Sequence, residues 1–401
     1  MAKFRKILHL DLDAFFCAVE EQLDPSLKGK KFAVGGSPDR RGVVATCSYA
    51  ARKYGVHSAM PMSQAVRLCP DLLIVRNNHH QYSERSKEVM AIIHDLTPLV
   101  EQVSVDEAFM DVSDLPQSPE VIARQVQNEI NQKTHLPCSL GAASNKLVAK
   151  IANNIGKKQR KTDSYPNAVT WIPDGQEAAF LAPLKVDELW GVGKKTAQTF
   201  EGMGIYTIGQ LASYPPELLM NRFGKMGLDF HLHANGIDES PVNPDDAMPK
   251  SISQEITFDV DVTDEAVLRR TIRRQSEQVG FRLRKEKLTG STVKIKIRWE
   301  NFVTFVRQTK TEMPVSQDSL INKAAQDLFS EVWLADPRPV RLIGVGVTGI
   351  QEEEQQLSLF LPDTRKEDHL LKAVDDLRSK FGRQVLKRAA DLDNQNSRDG
   401  D

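Results

Sequence analysis

Two carboxylates at the end of a short apolar strand constrain the fold more than any other feature of this chain. The segment Ile7–Phe16 reads ILHLDLDAFF, in which polar and apolar residues alternate as in a half-buried β-strand. This alternation places His9, Asp11 and Asp13 on one face and the leucines on the other. Ionised carboxylates at the end of a buried strand are costly unless they are paired or bind a cation. Alternatively, the strand ends early and Asp13 caps a helix over residues 14–21.

A second acid-containing strand favours the cation-binding alternative. Residues 103–112 read VSVDEAFMDV, an apolar run that is interrupted by the adjacent acids Asp106 and Glu107. If the two strands are neighbours, these acids converge on Asp11, and three carboxylates repel each other unless divalent cations hold them. Mg²⁺ favours such oxygen ligands and often binds substrate phosphates as well. Two such ions can stabilise the attacking and the leaving oxygens of a phosphoryl transfer.

Further motifs occur in a fixed order around these acids. DLDAFF stands at 11–16, SVDEA at 104–108, SNK at 144–146 and KIA at 150–152. Together they resemble the signature of the Y-family, the translesion DNA polymerases, and in particular its bacterial polymerase IV type. The resemblance covers roughly residues 5–350 and is specific because several separated motifs agree.

The resemblance implies the fold class and the domain order. We expect an α+β protein, a right-hand polymerase with a ferredoxin-like palm, small fingers, a helical thumb with a helix-hairpin-helix, and a separate α/β little finger domain. Pro241, Pro244 and Pro249, among Asn and Asp residues, independently mark a linker. The expected divisions are palm and fingers at 1–170 (fingers at about 21–78), thumb at 171–236, linker at 237–250, little finger at 251–350 and tail at 351–401.

The resemblance also implies the catalytic and metal-binding residues. Asp11, Asp106 and Glu107 are the expected catalytic acids. Together with the backbone carbonyl of Leu12, they would hold two Mg²⁺ ions. Asp13 would have a more structural role, because the family uses the first of these two aspartates as the ligand.

The same resemblance assigns the residues that would bind the nucleotide. Phe16 would be a steric gate, whose ring leaves no room for a 2′-hydroxyl and so excludes ribonucleotides. Tyr49 and Arg52 lie three residues apart on one helical face and would hold the triphosphate, although they also fit a surface arginine beside a half-buried tyrosine. Lys157 matches the lysine that reaches the triphosphate, but Lys158 remains an alternative because GKK replaces the usual Lys-Pro.

Two later segments predict contacts with DNA. Gly191 and Gly193 lie between an apolar segment and a helix, which suits either a plain turn or a helix-hairpin-helix that binds a DNA phosphate through backbone amides. Residues 268–310 contain 13 Lys or Arg against three Glu, a balance of +10. Within them, residues 292–299 alternate so that basic side chains share one face of a strand, as expected for a sheet that binds a duplex backbone.

The tail carries an apolar pentapeptide, QLSLF, at residues 356–360. It resembles the clamp-binding motif of bacterial polymerases, in which Gln356 forms hydrogen bonds and Leu357, Leu359 and Phe360 fill a hydrophobic groove. We therefore expect the sliding clamp as a partner, with a plain packing segment as the alternative. A helix is predicted at 364–390, and its role is open.

Composition excludes several other classes of protein. The net charge is −1, and none of the four cysteines forms a CxxC pair, so neither a zinc site nor a redox motif is indicated. Scattered cysteines, the lack of a signal peptide and the lack of a membrane-spanning run predict a cytoplasmic protein with no membrane partner. We expect a monomer.

The predicted function is a low-fidelity DNA-directed DNA polymerase that acts in DNA damage tolerance, with primed template DNA, dNTPs and two Mg²⁺ ions. Two other functions are considered. A catalytically silent, clamp-tethered DNA-binding adaptor would lack the acids, which are intact here. A different palm-type phosphoryl transferase, such as a nucleotide cyclase, would not need the basic sheet, the helix-hairpin-helix or the clamp motif.

Overall fold

The computed structural model describes residues 5–160, 162, 164–244, 248–353, 365–382 and 385–386. Its internal contacts divide the chain into two compact units, Met1–Asp246 and Ala247–Asp401, and each is described here by itself. The α+β class is confirmed, since both units combine sheets with helices. No helix in the described part of the chain has the length and apolarity needed to cross a membrane.

A five-stranded sheet forms the centre of the first unit, in the order β5-β6-β1-β7-β8. Its strands are β1 (Ile7–Leu12), β5 (Val100–Gln102), β6 (Glu107–Asp111), β7 (Cys138–Ala143) and β8 (Val169–Trp171). The first strand is antiparallel to both of its neighbours, β6 and β7. Its position in the middle of the sheet explains why its leucines are fully buried.

Helices cover both faces of this sheet. One face packs against α1 (Phe15–Leu23), α4 (His79–Leu96) and α5 (Pro119–Thr134), whose apolar residues share one core with the leucines of β1. The other face packs against α6 (Lys146–Gln159). Because side chains alternate along a strand, the face that carries His9 and Asp11 is the one that α6 covers.

Gly141 on β7 allows α6 to approach the sheet closely. A Cβ atom at this position would collide with the carbonyl oxygen of Ala149 and would lie 2.6 Å from the backbone nitrogen of Asn153. Both atoms belong to the backbone of α6, so neither can rotate away. The absence of a side chain at Gly141 therefore determines how near the polar residues of α6 lie to β1.

Replacing Gly141 with alanine is expected to destabilise the first unit by ~2–3 kcal/mol, because the added methyl group overpacks a backbone contact. Differential scanning calorimetry would show this as a lower Tm. Gly202 is the matched control, since it lies in a helix with no heavy atom within 4 Å of its Cβ position and has a negative φ. A Gly202→Ala protein should keep its Tm or gain slightly. Equal Tm values for all three proteins would contradict the close contact between Gly141 and α6.

A smaller sheet with the order β3-β2-β4 forms a separate lobe of the first unit. It contains β2 (Phe32–Gly35), β3 (Val44–Cys47) and β4 (Leu73–Val75), with α2 (Tyr49–Arg52) and α3 (Met62–Leu68) beside them. Ser48 caps α2, because its hydroxyl accepts a hydrogen bond from the backbone nitrogen of Ala51. This cap fixes the start of the helix that carries Tyr49 and Arg52.

Five short helices complete the first unit. They are α7 (Glu177–Leu181), α8 (Lys194–Gly202), α9 (Ile208–Ala212), α10 (Pro216–Phe223) and α11 (Lys225–Ala234). The chain after them stays attached to the sheet, since Val242 is buried and Asn243 donates its backbone N–H to Glu101 at 2.9 Å. The first part of the expected linker is thus packed against this unit.

The second unit is a four-stranded antiparallel sheet with helices on one face. The sheet order is β11-β10-β12-β9, with β9 (Ser251–Val262), β10 (Leu288–Trp299), β11 (Thr304–Val315) and β12 (Val340–Glu352). The helices α12 (Glu265–Lys285) and α13 (Asp318–Ala335) share its apolar core. As the alternation in β10 predicts, Val293, Ile295 and Ile297 are buried there.

The predicted tail helix is present as α14 (Arg365–Phe381) and belongs to the second unit. Arg284 of α12 holds it through two hydrogen bonds to the Asp375 carboxylate, at 2.7 and 3.1 Å. The same guanidinium donates to Asp318 at 2.8 Å, and Leu371 is buried. The helix is therefore a docked element of this unit.

Candidate active site

The register of β1 and β6 brings the three predicted acids to one edge of the central sheet. Asp11 lies directly opposite Glu107 in the antiparallel ladder. The backbone N–H of Leu12 donates to the carbonyl oxygen of Asp106 at 2.9 Å. Asp106 therefore stands just beyond the end of β6, next to the two paired positions.

A cavity of about 630 Å³ opens in front of these acids. It is lined by most of the predicted site residues, namely Asp11, Leu12, Phe16, Tyr49, Arg52, Asp106 and Lys157. Glu107 does not line it and instead lies beside it on β6. The cavity thus joins residues from the central sheet, from α1 and α6, and from the small lobe into one site.

The carboxyl group of Asp106 is crowded by the other acids. Burial raises its pKa, and the negative charges of Asp11 and Glu107 raise it further. Ser104 opposes this rise by donating a hydrogen bond to Asp106 Oδ1 at 2.5 Å. The protein therefore holds an electron-rich carboxylate here at an energetic cost, which a bound cation would relieve.

The Glu107 carboxylate contacts two donors that the sequence analysis did not identify. His9 is fully buried, and its Nε2 lies 2.6 Å from Glu107 Oε1. Lys150 forms an ion pair with the same oxygen. Burial alone would raise the pKa of Glu107, but the hydrogen bonds from His9 and Lys150 lower it to about 2. Glu107 is therefore an anion with a fixed orientation.

Asn153 fixes the orientation of His9 in turn. Its side-chain nitrogen lies 3.0 Å from His9 Nδ1 and also contacts the carbonyl oxygens of His9 and Ser139. Because Nδ1 accepts this hydrogen bond, the ring proton lies on Nε2 and points at Glu107. Burial also lowers the pKa of His9, which favours the neutral ring. The buried side-chain amide of Asn153 thus determines that His9 donates to Glu107 through Nε2.

Lys157 lies between Asp11 and Asp13. Its Nζ is 2.5 Å from Asp11 Oδ1 and 3.1 Å from Asp13 Oδ1. Burial would lower the pKa of Lys157, but the two carboxylates raise it. Lys158, the alternative in the sequence analysis, forms an ion pair with Glu188 at 2.6 Å. Lys157 is therefore the lysine that faces the acids.

Asp13 is a buried structural carboxylate. It is fully buried, and it accepts hydrogen bonds from the Ser139 hydroxyl at 2.8 Å and from the backbone nitrogen of Asn167 at 3.0 Å. With Lys157 as a third partner, these contacts satisfy the charge. Its geometry agrees with the structural role expected from the sequence.

Aromatic contacts hold the predicted nucleotide-binding residues in place. The ring of Phe16 is stacked on Tyr82 with centroids 4.0 Å apart and planes 10° apart. The guanidinium of Arg52 lies 4.5 Å from the centre of the Tyr49 ring, and Tyr165 meets that ring edge-on at 5.6 Å. Phe16, Tyr49 and Arg52 all line the cavity, and aromatic neighbours restrict the rings of Phe16 and Tyr49.

The donor set fits a divalent cation. Within the described ranges, no group of three or more His, Cys, Asp or Glu side chains is arranged around a single ion position. Lysine ammonium groups hold two of the acids, Lys150 at Glu107 and Lys157 at Asp11. Carboxylate oxygens are the ligands that Mg²⁺ prefers, and a bound ion would supply the positive charge that the two ammonium groups supply to these acids in this structure.

Two further surfaces carry the residues for which the sequence predicts contacts with DNA. Gly191 has a φ of +94°, and Gly193 begins α8 without any side-chain cap, which leaves the first amides of that helix open. In the second unit, Lys294, Lys296 and Arg298 lie on the face of β10 opposite its buried residues. The predicted clamp motif at 356–360 lies outside the described residues.

Comparison with known proteins gives a consistent result. Family models match at 10–154 (impB/mucB/samB family), 174–205 (helix-hairpin-helix motif of that family) and 249–359 (its C-terminal domain). A DNA polymerase IV from Dehalococcoides mccartyi strain CBDB1 is 38% identical over 382 residues, 94% of this chain and 95% of that protein. DNA polymerase IV 1 from Bacillus subtilis strain 168 is 36% identical, over 99% of this chain and 95% of that protein.

Solved structures give the same family of folds. A Y-family DNA polymerase chimera superposes with a TM-score of 0.77 at 26% identity, covering 86% of this chain and 99% of the chimera. DinB from Sulfolobus solfataricus covers the same share of this chain, also at 26% identity, with a TM-score of 0.58.

Proposed function

Because this chain belongs to the impB/mucB/samB family of Y-family DNA polymerases, we propose that it is a DNA-directed DNA polymerase for translesion synthesis. The observation that carries this proposal is the register that places Asp11 opposite Glu107, beside Asp106 and a cavity for a nucleotide. The test is extension of a primed template by the purified chain with Mg²⁺ and four dNTPs. A chain that binds DNA without extending the primer would instead be the silent adaptor.

Asp11, Asp106, Glu107 and the carbonyl of Leu12 are the groups proposed to hold two Mg²⁺ ions. When bound, these ions would lower the pKa of the primer 3′-hydroxyl and neutralise the charge on the leaving pyrophosphate. The protein contributes a fixed set of oxygens: His9 and Lys150 orient Glu107, and Ser104 orients Asp106. Such prior orientation lowers the cost of reaching the reactive geometry.

The side chains around the cavity are proposed to bind and select the nucleotide. Arg52 and Tyr49 would bind triphosphate oxygens, the guanidinium through its fork of donors. Lys157 would reach the triphosphate from the acid side of the cavity, where its Nζ already lies near Asp11. Phe16 would lie under the sugar. These positions are supported by their shared cavity.

The domain divisions are proposed from the resemblance to the family. We assign palm and fingers to 1–170, with fingers at about 21–78, thumb to 171–236, linker to 237–250 and little finger to 251–350. The open amides at the start of α8 and the basic face of β10 suit phosphate contacts that do not read sequence.

A monomer is proposed, which light scattering of the purified chain would test.

The tail at 351–401 is proposed to bind the sliding clamp through Gln356, Leu357, Leu359 and Phe360. Replacing Leu359 and Phe360 with alanine is expected to weaken clamp binding at least about tenfold, since apolar anchors carry most of the affinity of such peptides. Immobilised clamp and surface plasmon resonance would measure the change. Ser358→Ala is the matched control. Unchanged affinity in the double variant would refute the motif.

Replacing His9 with phenylalanine is expected to lower kcat for nucleotide addition about tenfold or more, the range found when a metal ligand loses its supporting hydrogen bond. The new ring fills the space beside Phe109, 4.7 Å away, but donates nothing to Glu107. Single-turnover insertion of a matched dNTP measures the effect. Phe109→Leu disturbs the same packing and leaves the His9 donor intact. It should therefore lower the Tm but keep kcat near the wild-type value. Equal rates for His9→Phe and wild type would contradict this role.

A further inference from the structure

Trp190 connects the turn before α8 with the catalytic acids. It is 41% exposed and directly precedes Gly191. The Nζ atom of Lys150 lies 5.3 Å from the centre of the indole ring. The ring also lies 5.9 Å from that of Phe109, on β6. An exposed tryptophan in a turn is thus in contact with a lysine of α6 and an aromatic residue of the central sheet.

Lys150 connects the contact at Trp190 to the acid Glu107. Its ammonium group pairs with Glu107, and the side chains of Lys150 and Glu107 are only 16% and 17% exposed. An aromatic face attracts a cation, and it also excludes water from one side of the ion pair. Both effects favour the position in which Lys150 remains on Glu107, because an ion pair is stronger where water is excluded.

The backbone around Trp190 is firmly placed. Leu189 is buried, and its carbonyl oxygen accepts a hydrogen bond from the backbone nitrogen of Val192 at 2.9 Å. Gly191 then turns the chain with a positive φ, and Gly193 opens α8 with uncapped amides. The indole ring is therefore attached to the same short turn that is proposed to contact a DNA phosphate.

We propose that Trp190 is a positioning residue for Glu107: it holds Lys150 on the carboxylate and thereby links the DNA-binding turn of the thumb to the active site. The proposal rests on the proposed polymerase function. Trp190 would act on Glu107 through its cation–π contact with Lys150, and it would not touch the nucleotide. A tryptophan that only fills space would leave the Lys150–Glu107 pair unaffected when replaced.

The first test compares Trp190→Leu and Trp190→Phe with wild type. Loss of the aromatic face is expected to lower kcat about five- to thirty-fold, the factor that corresponds to a partly desolvated cation–π contact. Trp190→Phe should keep much of the rate, because a smaller ring still faces Lys150. The Kd for primed DNA should change little, since Gly191 and Gly193 are unaltered. Trp171→Leu is the matched control, because Trp171 is 36% exposed in the same unit and lies away from the cavity lining.

A double-mutant cycle shows whether Trp190 acts through Lys150. If it does, Trp190→Leu should have little further effect on kcat in a protein that already carries Lys150→Met. Losses that multiply would mean that Trp190 acts by another route, and the proposal would be wrong. A Trp190→Leu protein with the wild-type kcat would also overturn it. If Trp190→Leu does not fold, which its Tm reports, Trp190→Met carries the same cycle, because its unbranched apolar side chain also lacks an aromatic face.

Tryptophan fluorescence supplies a readout that needs neither metal nor catalysis. The chain has four tryptophans, so the contribution of Trp190 is the difference between wild type and Trp190→Phe. Lys150→Met should change this contribution in the metal-free protein, and primed DNA should change it without any dNTP. No change in either case would refute the link. A wild type that fails to extend primers, yet shows both changes, would refute the polymerase function and leave the contact in place.

Discussion

Replacing Asp106 with alanine is expected to abolish primer extension, with a loss of at least about 1000-fold, or ~4 kcal/mol of transition-state stabilisation. Asp106 lines the cavity, and its carboxylate is held at the end of β6 by Ser104. The variant removes the carboxylate but leaves the backbone hydrogen bond from Leu12 to residue 106 intact. The sheet should therefore keep its register while the site loses a proposed metal ligand. The measurement is the rate of single-nucleotide insertion at saturating Mg²⁺ and dNTP.

Asp111→Asn provides the matched control for this experiment. Asp111 lies at the opposite end of the same strand, where it pairs with Ile7 and accepts a hydrogen bond from the backbone nitrogen of Ser113 at 2.9 Å. Its replacement should leave extension near the wild-type rate. Both variants should bind primed DNA as wild type does. Extension by Asp106→Ala at more than about a tenth of the wild-type rate would mean that the catalytic acids are assigned wrongly.

The meeting of the acids was predictable because it depends on local rules. A period of two along ILHLDLD determines which residues face one side of β1, and the structure buries the leucines against α1, α4 and α5 accordingly. The adjacent acids in the second strand need only antiparallel pairing to reach Asp11. The basic face of β10 followed from the same alternation.

The residues that support the acids could not be predicted in this way. Lys150, Asn153 and Lys157 recur along α6 at helical spacing, so the sequence does contain the signal that they share one face. Their partners, however, lie on strands far away in the chain, and the contact depends on how closely α6 approaches the sheet at Gly141. Sequence periodicity gives no information on that distance. The docking of α14 through Arg284 and Asp375 is a long-range contact of the same kind.

Replacing Phe16 with alanine is expected to lower the preference for dNTP over the matching rNTP by about 100-fold or more, because discrimination by a steric clash is lost when the clashing group is removed. The ring lines the cavity and stacks on Tyr82 at 4.0 Å, so it cannot easily move aside for a 2′-hydroxyl. Most of the change should be a higher kcat/KM for the rNTP. The measurement is kcat/KM for both nucleotides opposite one template base.

Two variants of Tyr82 separate the gate from its support. Tyr82→Phe keeps the stacked ring and loses only the hydrogen bond from the hydroxyl to Glu20, so it should discriminate as wild type does. Tyr82→Leu removes the stacking partner, so Phe16 gains freedom and discrimination should fall part of the way toward that of Phe16→Ala. If Phe16→Ala still rejects rNTPs, another residue is the gate. If Tyr82→Leu matches wild type, the clash alone suffices and the stacking is not needed to hold the ring.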